Sequence, residues 1–437
     1  RVYTERVTDA RTGGDSDSLT LSSYLENRFN DPSRLLRGIS ALLIIVFYFF
    51  YVASGLVAMA GLFDQVFGLN PVLSVAIGVG IVVLYTVLGG FLAVSLTDVV
   101  QAAMMWLALL IVPIMVIVSL GGFGGLTDGV ADKSDGLLSV MGGTSLNAET
   151  LAWESTDALG WVVIVSGLAW GLGYFGQPHI LSRYMGITSV TQIRKAGIVS
   201  VSWAVSAMAL AVLVGFVGIA YFDTPLADAE QVFPRLVSAL THPLVAGVLL
   251  AAILAAVMST ADSQLLVAAS ALTEDVYKGF IARDADSKVL LWISRVTVIA
   301  VALAAAGIAL WGNSSVMDLV GYAWAGFGSA FGPVLLLSVF WRRMTWTGAL
   351  AGMVVGATVA IVWENVAAWL TALGIYDTLP VFLQDFLSVY AMVPAAALSF
   401  VAVFALNSLG RVSDVMESDF DRVEHEVRHL RAEAPVG

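Results

Sequence analysis

Cysteine is absent from all 437 residues, which excludes disulfides, thiolate nucleophiles and cysteine-ligated metals. Charge is nearly as scarce, at 12% of residues where a soluble domain carries about a quarter. Histidine occurs four times, and no His or carboxylate spacing matches a zinc site. Acid outnumbers base to a net charge of -12 and sits mostly in loops, which argues against nucleic acid as a partner, since phosphate binding needs clustered cations. No signal peptide is visible either. The chain opens on Arg1 in a polar segment and reads as a protein lacking its start.

What the sequence has is hydrophobic length. Apolar residues make up 59% of it, and ten stretches reach the ~20 residues a bilayer demands: 38–62, 72–91, 97–120, 160–180, 196–222, 243–270, 290–311, 317–341, 346–370 and 385–408. The expectation is an all-α polytopic membrane protein. It divides into a cytoplasmic segment 1–37, a transmembrane core 38–408 and an acidic cytoplasmic tail 409–437. Placing the first segment inside puts 19 of the 21 Lys and Arg residues in cytoplasmic segments, with Lys133 and Arg235 outside. That asymmetry orients both ends toward the cytoplasm and supports the count of ten.

One span is unlike an anchor. Residues 167–183 place four glycines, Pro178 and several polar-tipped side chains inside an apolar stretch. Bare backbone at membrane depth is tolerated only where protein or a wet cavity meets it, so the segment is expected to be a broken helix at a binding site. Trp170 and Tyr174, at i and i+4, share one face of it if it is helical. Packing or interface-belt roles are the common fate of such aromatics, Tyr85 included.

Two further stretches concentrate polarity. In 251–267, Ser259, Thr260, Asp262 and Ser263 interrupt small and aliphatic residues, and Ala252, Ala256 and Ser259 form one stripe. Each hydroxyl can bond back to a carbonyl one turn earlier. Two adjacent hydroxyls beside a carboxylate point further, because a hard cation such as sodium takes oxygen ligands and an Asp in the membrane is costly unless a positive charge visits it. In 85–101, Gly89-Gly90 separates two spans, and Thr97, Asp98 and Gln101 open the second. Asp98 reads equally as a carboxylate at a helix N-terminus or as a station for an ion. His179 reads as a hydrogen-bonded structural residue. The Gly-rich run 321–333 lacks the Lys and Ser/Thr of a phosphate loop and reads as a flexible, closely packed helix.

Together, Trp170-Gly-Leu-Gly-Tyr-Phe-Gly-Gln-Pro-His-Ile-Leu, Gly89-Gly90 through Thr97-Asp98-Val-Val-Gln, Met258-Ser-Thr-Ala-Asp-Ser-Gln and Tyr322-Ala-Trp-Ala-Gly-Phe-Gly-Ser-Ala-Phe-Gly-Pro resemble the sodium:solute symporter family. The likeness runs from Arg1 to about Leu409, with the motifs in matching order. It implies the inverted five-helix repeats of the leucine transporter, with the second repeat complete over 160–341 and extra helices over 346–408. The first repeat is expected to retain only 38–62, 72–91 and 97–120, without its two preceding core helices or the peripheral helix before them. By the same resemblance Ala256, Ser259 and Thr260 form one half of a sodium site, and Trp170, Tyr174 and Gln177, with Tyr85, bind the solute. Asp98 and Asp262 fall on the ion pathway. Sodium symport of a small solute follows, with proline first and pantothenate or a carboxylate as alternatives. A symporter-like membrane sensor is the reading from another class, and the short tail counts against it. Nothing resembles an enzyme's nucleophile and base.

Overall fold

The computed structural model describes residue 18 and residues 20–139, 142–147, 150–156, 160–187, 190–312 and 314–433. Arg1, Arg6 and Arg11, counted among the expected cytoplasmic cations, lie outside the described residues. Short α1 (Leu21–Arg28) leads into the long helices α2 (Leu35–Phe67) and α3 (Pro71–Ser119). Asn70 starts α3 cleanly, its side chain accepting from the Leu73 N–H while Pro71 fills the first helical position. After α4 (Phe123–Ala131) comes a feature absent from the sequence expectation. Strands β1 (Gly143–Asn147) and β2 (Ala152–Thr156) pair antiparallel in the loop before 160.

The helix assignment of α3 is continuous over 49 residues, yet its two limbs lie against each other. The hydroxyls of Tyr85 and Thr97 touch, although twelve residues of straight helix would hold their Cα atoms about 18 Å apart. The chain therefore folds back between them, within the stretch that holds Gly89-Gly90, where two spans were expected to part.

The remaining elements are α5 (Trp161–Ala169), a 3-10 segment (Trp170–Gly176), α6 (Pro178–Met185), α7 (Val190–Tyr221), α8 (Val232–Leu240), α9 (Pro243–Ser270), a π-helix (Ala271–Ile281), α10 (Ser287–Trp311), α11 (Val316–Phe340), α12 (Trp346–Ala372), α13 (Val381–Leu387), α14 (Met392–Leu406) and α15 (Asp414–Glu433). Among the described residues nine helices are long and apolar enough to cross a membrane, one fewer than the ten expected. The difference is 160–180. Glycines tighten it into a 3-10 turn, and Pro178 forces Gln177 to extended backbone (φ -80, ψ 109), so three short pieces replace one rod.

Helix α11 is the centre of the bundle, with 83% of its most apolar window buried. Its small residues let α2, α12, α14 and the 3-10 segment approach closely. A capping box fixes its start: Ser315 accepts from the Asp318 N–H, and Asp318 accepts from the Ser315 N–H.

Charge gathers at the end of the bundle that carries α1 and α15. There Arg37 reaches fully buried Asp275 at 3.2 Å and Glu26 at 3.1 Å, and the Thr20 hydroxyl donates to Asp275 at 2.6 Å. These contacts hold the π-helix against α1 and α2. On the same end Arg342 pairs with Glu417 and Asp421 of α15, at 3.1 and 2.7 Å. Arg28 lies over the Phe420 ring, and its burial there lowers its pKa from the usual arginine value.

Candidate functional site

The structure sorts the expected site residues into two groups. The first surrounds the break. Trp170 lies stacked between Trp324 and Tyr390, at centroid separations of 5.9 and 5.2 Å, and its carbonyl accepts from the Trp324 indole N–H at 2.9 Å. Tyr174 meets the same Trp324 edge to face at 5.1 Å, with 38% of its surface exposed. Trp170 and Tyr174 thus converge on one indole from the 3-10 segment. Glycine permits this approach. A Cβ on Gly173 would fall 1.9 Å from Trp324 Nε1, and one on Gly176 would fall 2.3 Å from the Phe327 carbonyl oxygen.

Gln177 follows at the extended step, fully buried, and neither amide atom has a hydrogen-bond partner. A buried amide with four unmet bonds is costly in a finished core and natural where a polar ligand docks. Next to it the Tyr48 hydroxyl accepts from the His179 backbone N–H at 2.9 Å and lies 3.3 Å from His179 Nδ1. His179 has the hydrogen-bonded role expected of it.

The second group is polar and centres on α9. The hydroxyls of Ser259 and Thr260 both donate to the Ala256 carbonyl, at 3.1 and 2.9 Å. Three oxygens therefore cluster on one face without formal charge. One turn further along, Ser263 donates to the Ser259 carbonyl at 2.9 Å and sits 3.4 Å from Asp262, whose side chain is wholly buried with one carboxylate oxygen unpartnered. Asp98, on the second limb of α3, pairs with Arg183 of α6 at 2.5 Å. The Arg183 guanidinium also bonds Ser95 and Ser263, tying α3, α6 and α9 together. Between the two readings left open for Asp98, this geometry gives it an ion pair, several residues beyond the start of its limb. Tyr85, expected with the solute residues, has its hydroxyl on Thr97, one residue before Asp98.

Two residues at the heart of these groups were not singled out in the sequence. Trp324 sits in a Gly-rich run that reads as packing, and Arg183 reads as one more cytoplasmic cation. The sequence offered only the Gly-rich run itself, whose small residues let a neighbour come close without saying which one.

A separate cavity of about 630 Å³ opens at the end away from α1, lined by Asp64, Gln65, Asp228, Glu230 and Ile253 among others. Glu230 accepts from the Met317 N–H at 3.2 Å, and partial burial raises its pKa above the usual glutamate value.

The chain is similar to known proteins over most of its length. The profile of the sodium:solute symporter family matches residues 7–356. The sodium/proline symporter of Escherichia coli K12 is 46% identical over 390 residues, covering 88% of this chain and 72% of the relative. The high-affinity proline transporter PutP of Bacillus subtilis is 42% identical, covering 94% of this chain and 79% of that protein. Among solved structures, a Na+-coupled sialic acid symporter in a substrate-bound, outward-open state superposes with a TM-score of 0.68 at 18% identity, over 94% of this chain and 82% of that one.

Proposed function

This chain belongs to the sodium:solute symporter family, and from that premise we propose that it couples sodium entry to uptake of L-proline across the cytoplasmic membrane. It is a multi-pass membrane protein of the inverted-repeat, leucine-transporter-like fold. The second repeat is 160–341, and the cycle alternates between outward and inward access. The placement of 19 of the 21 basic residues supports both ends of the chain facing the cytoplasm. The protein acts as a carrier and makes no covalent change in its cargo.

The observation that carries this reading is the oxygen cluster on α9. Ser259 and Thr260 turn their hydroxyls onto one carbonyl, leaving oxygen lone pairs free for a cation that needs no counter-charge beside it. Sodium bound there steadies the state in which the broken helix accepts solute, so the two ligands assist each other through one conformation. The solute meets Trp170, Tyr174 and the unmet amide of Gln177, with Trp324 backing both rings. Proline suits this lining, because its ring packs on aromatics while its carboxylate and ammonium need polar partners. The relatives named for proline, at 42–46% identity, favour it over pantothenate or another carboxylate. Asp98, paired with Arg183, and Asp262, beside the Ser263 that Arg183 also bonds, line the route by which sodium leaves inward.

The test is uptake of radiolabelled proline into proteoliposomes holding the full-length protein. An inward sodium gradient should drive accumulation, and a potassium gradient of equal size should not. Accumulation of another solute in preference to proline would replace the substrate and leave the coupling standing.

A further inference from the structure

We infer that Tyr48 is a positioning residue for the solute site, its hydroxyl capping the broken helix from a neighbouring element and thereby setting where Gln177 points. The inference rests on the solute site proposed above. A helix start leaves its first backbone N–H groups without partners, and the residue before the first turn usually supplies an acceptor. Here Gln177 occupies that place, makes no side-chain cap, and keeps its amide free. Pro178 has no N–H to satisfy, so the first orphan donor of α6 is His179. Its acceptor is the Tyr48 hydroxyl, 131 residues away in sequence on α2.

The hydroxyl has one hydrogen to give. It accepts from the His179 backbone and lies 3.3 Å from Nδ1 of the same residue, a contact whose direction is set by the tautomer of the ring. The Tyr48 ring cannot easily move. It is wholly buried and packs on Phe327 at 4.7 Å, while Tyr51, one turn along α2, lies edge-on to His179 at 5.7 Å and to Trp324 at 6.2 Å. A shift of α2 is therefore passed through one hydroxyl to the first turn of α6 and to the amide that precedes it. Without that bond, Gln177 itself becomes the nearest group able to cap the turn, and a side chain spent on capping is withdrawn from the solute.

Tyr48→Phe keeps the ring and deletes the hydroxyl. The expected result is a roughly tenfold higher KM for proline, the scale of one buried amide left unpaired in the binding-competent state. The maximal rate should stay within about twofold, because the bond is present before and during translocation. Backbone amide exchange over 177–183 should be faster, with no matching change in α2. His179→Asn, which alters the ring and keeps the backbone donor, should raise KM by less than about threefold. An unchanged KM and unchanged exchange in Tyr48→Phe overturn the inference. So does a His179→Asn effect as large as that of Tyr48→Phe, since the imidazole and not the cap would then matter. Gln177→Ala separates the two readings: an unchanged proline KM there overturns the solute site, whereas a raised KM beside an unaffected Tyr48→Phe overturns only the role of Tyr48.

Discussion

Removing the Thr260 hydroxyl should weaken sodium without weakening the protein. In the structure that hydroxyl donates to the Ala256 carbonyl at 2.9 Å, on its own helix. The carbonyl keeps the Ser259 hydroxyl and its helical N–H when Thr260 becomes Ala, so no buried group loses its last partner. The structural cost is therefore small, below about 1 kcal/mol, and alanine's better helix propensity offsets part of it. A lost sodium ligand is a different quantity. If one of the cluster's oxygens contributes about 1.4 kcal/mol to the bound cation, the sodium concentration for half-maximal uptake rises about tenfold. The assay is proline uptake against external sodium in proteoliposomes, with thermal unfolding of the purified variant alongside. Thr260→Ser, which retains the oxygen, should stay close to wild type. Sodium dependence unchanged in Thr260→Ala refutes the reasoning, as does a loss of sodium affinity that only follows a matching loss of stability.

Other perturbations test other parts. Gly176→Ala drives a Cβ to within 2.3 Å of the Phe327 carbonyl oxygen and should cost at least about 3 kcal/mol, read as poor folded yield and lost uptake; normal yield and transport would show that the 3-10 segment is not locked to α11. Asp262→Asn removes charge and preserves shape, so sodium-coupled uptake should slow while equilibrium proline binding stays near normal; wild-type rates would mean that Asp262 is only a packed, hydrogen-bonded residue. Glu230 has a raised pKa, so its contribution to stability is present below the ordinary glutamate value of about 4.3 and lost as pH climbs through the raised one. Glu230→Gln keeps an acceptor for the Met317 N–H, and its melting temperature should pull ahead of wild type as pH rises from that value; a gap independent of pH would contradict the assignment.

The broken helix was legible because its cause is local: glycines and Pro178 act on their own backbone, and the interruption follows wherever the segment packs. Adjacent Ser259 and Thr260 were legible for the same reason, since neighbouring hydroxyls on a helix reach the same carbonyl. Gly89-Gly90 likewise marked the fold-back of α3. What stayed hidden depends on partners far away in sequence. Trp324 joins the site through Trp170, Tyr174 and the close approach of Gly173, and no local pattern pairs positions some 150 residues apart. Arg183 looked like an ordinary cation at a span's end until α6 brought it to Asp98 and Ser263. The π-helix at the end of α9 owes its place to Asp275, held by Thr20 and Arg37 from two other helices. The β1–β2 hairpin is short and polar, and its residues read as loop. Of the ten expected spans, 160–180 is the one that is not a single long helix, because a stretch long enough to cross as one rod is here divided into three pieces.

The central claim is that sodium on α9 and proline at the broken helix bind through one shared conformation. Equilibrium binding of radiolabelled proline to the purified protein, measured across a series of sodium concentrations at constant ionic strength, tests it most directly. The proline Kd should fall as sodium rises, and proline should lower the sodium Kd by the same factor, as linkage requires. A proline Kd that does not change with sodium would contradict the account.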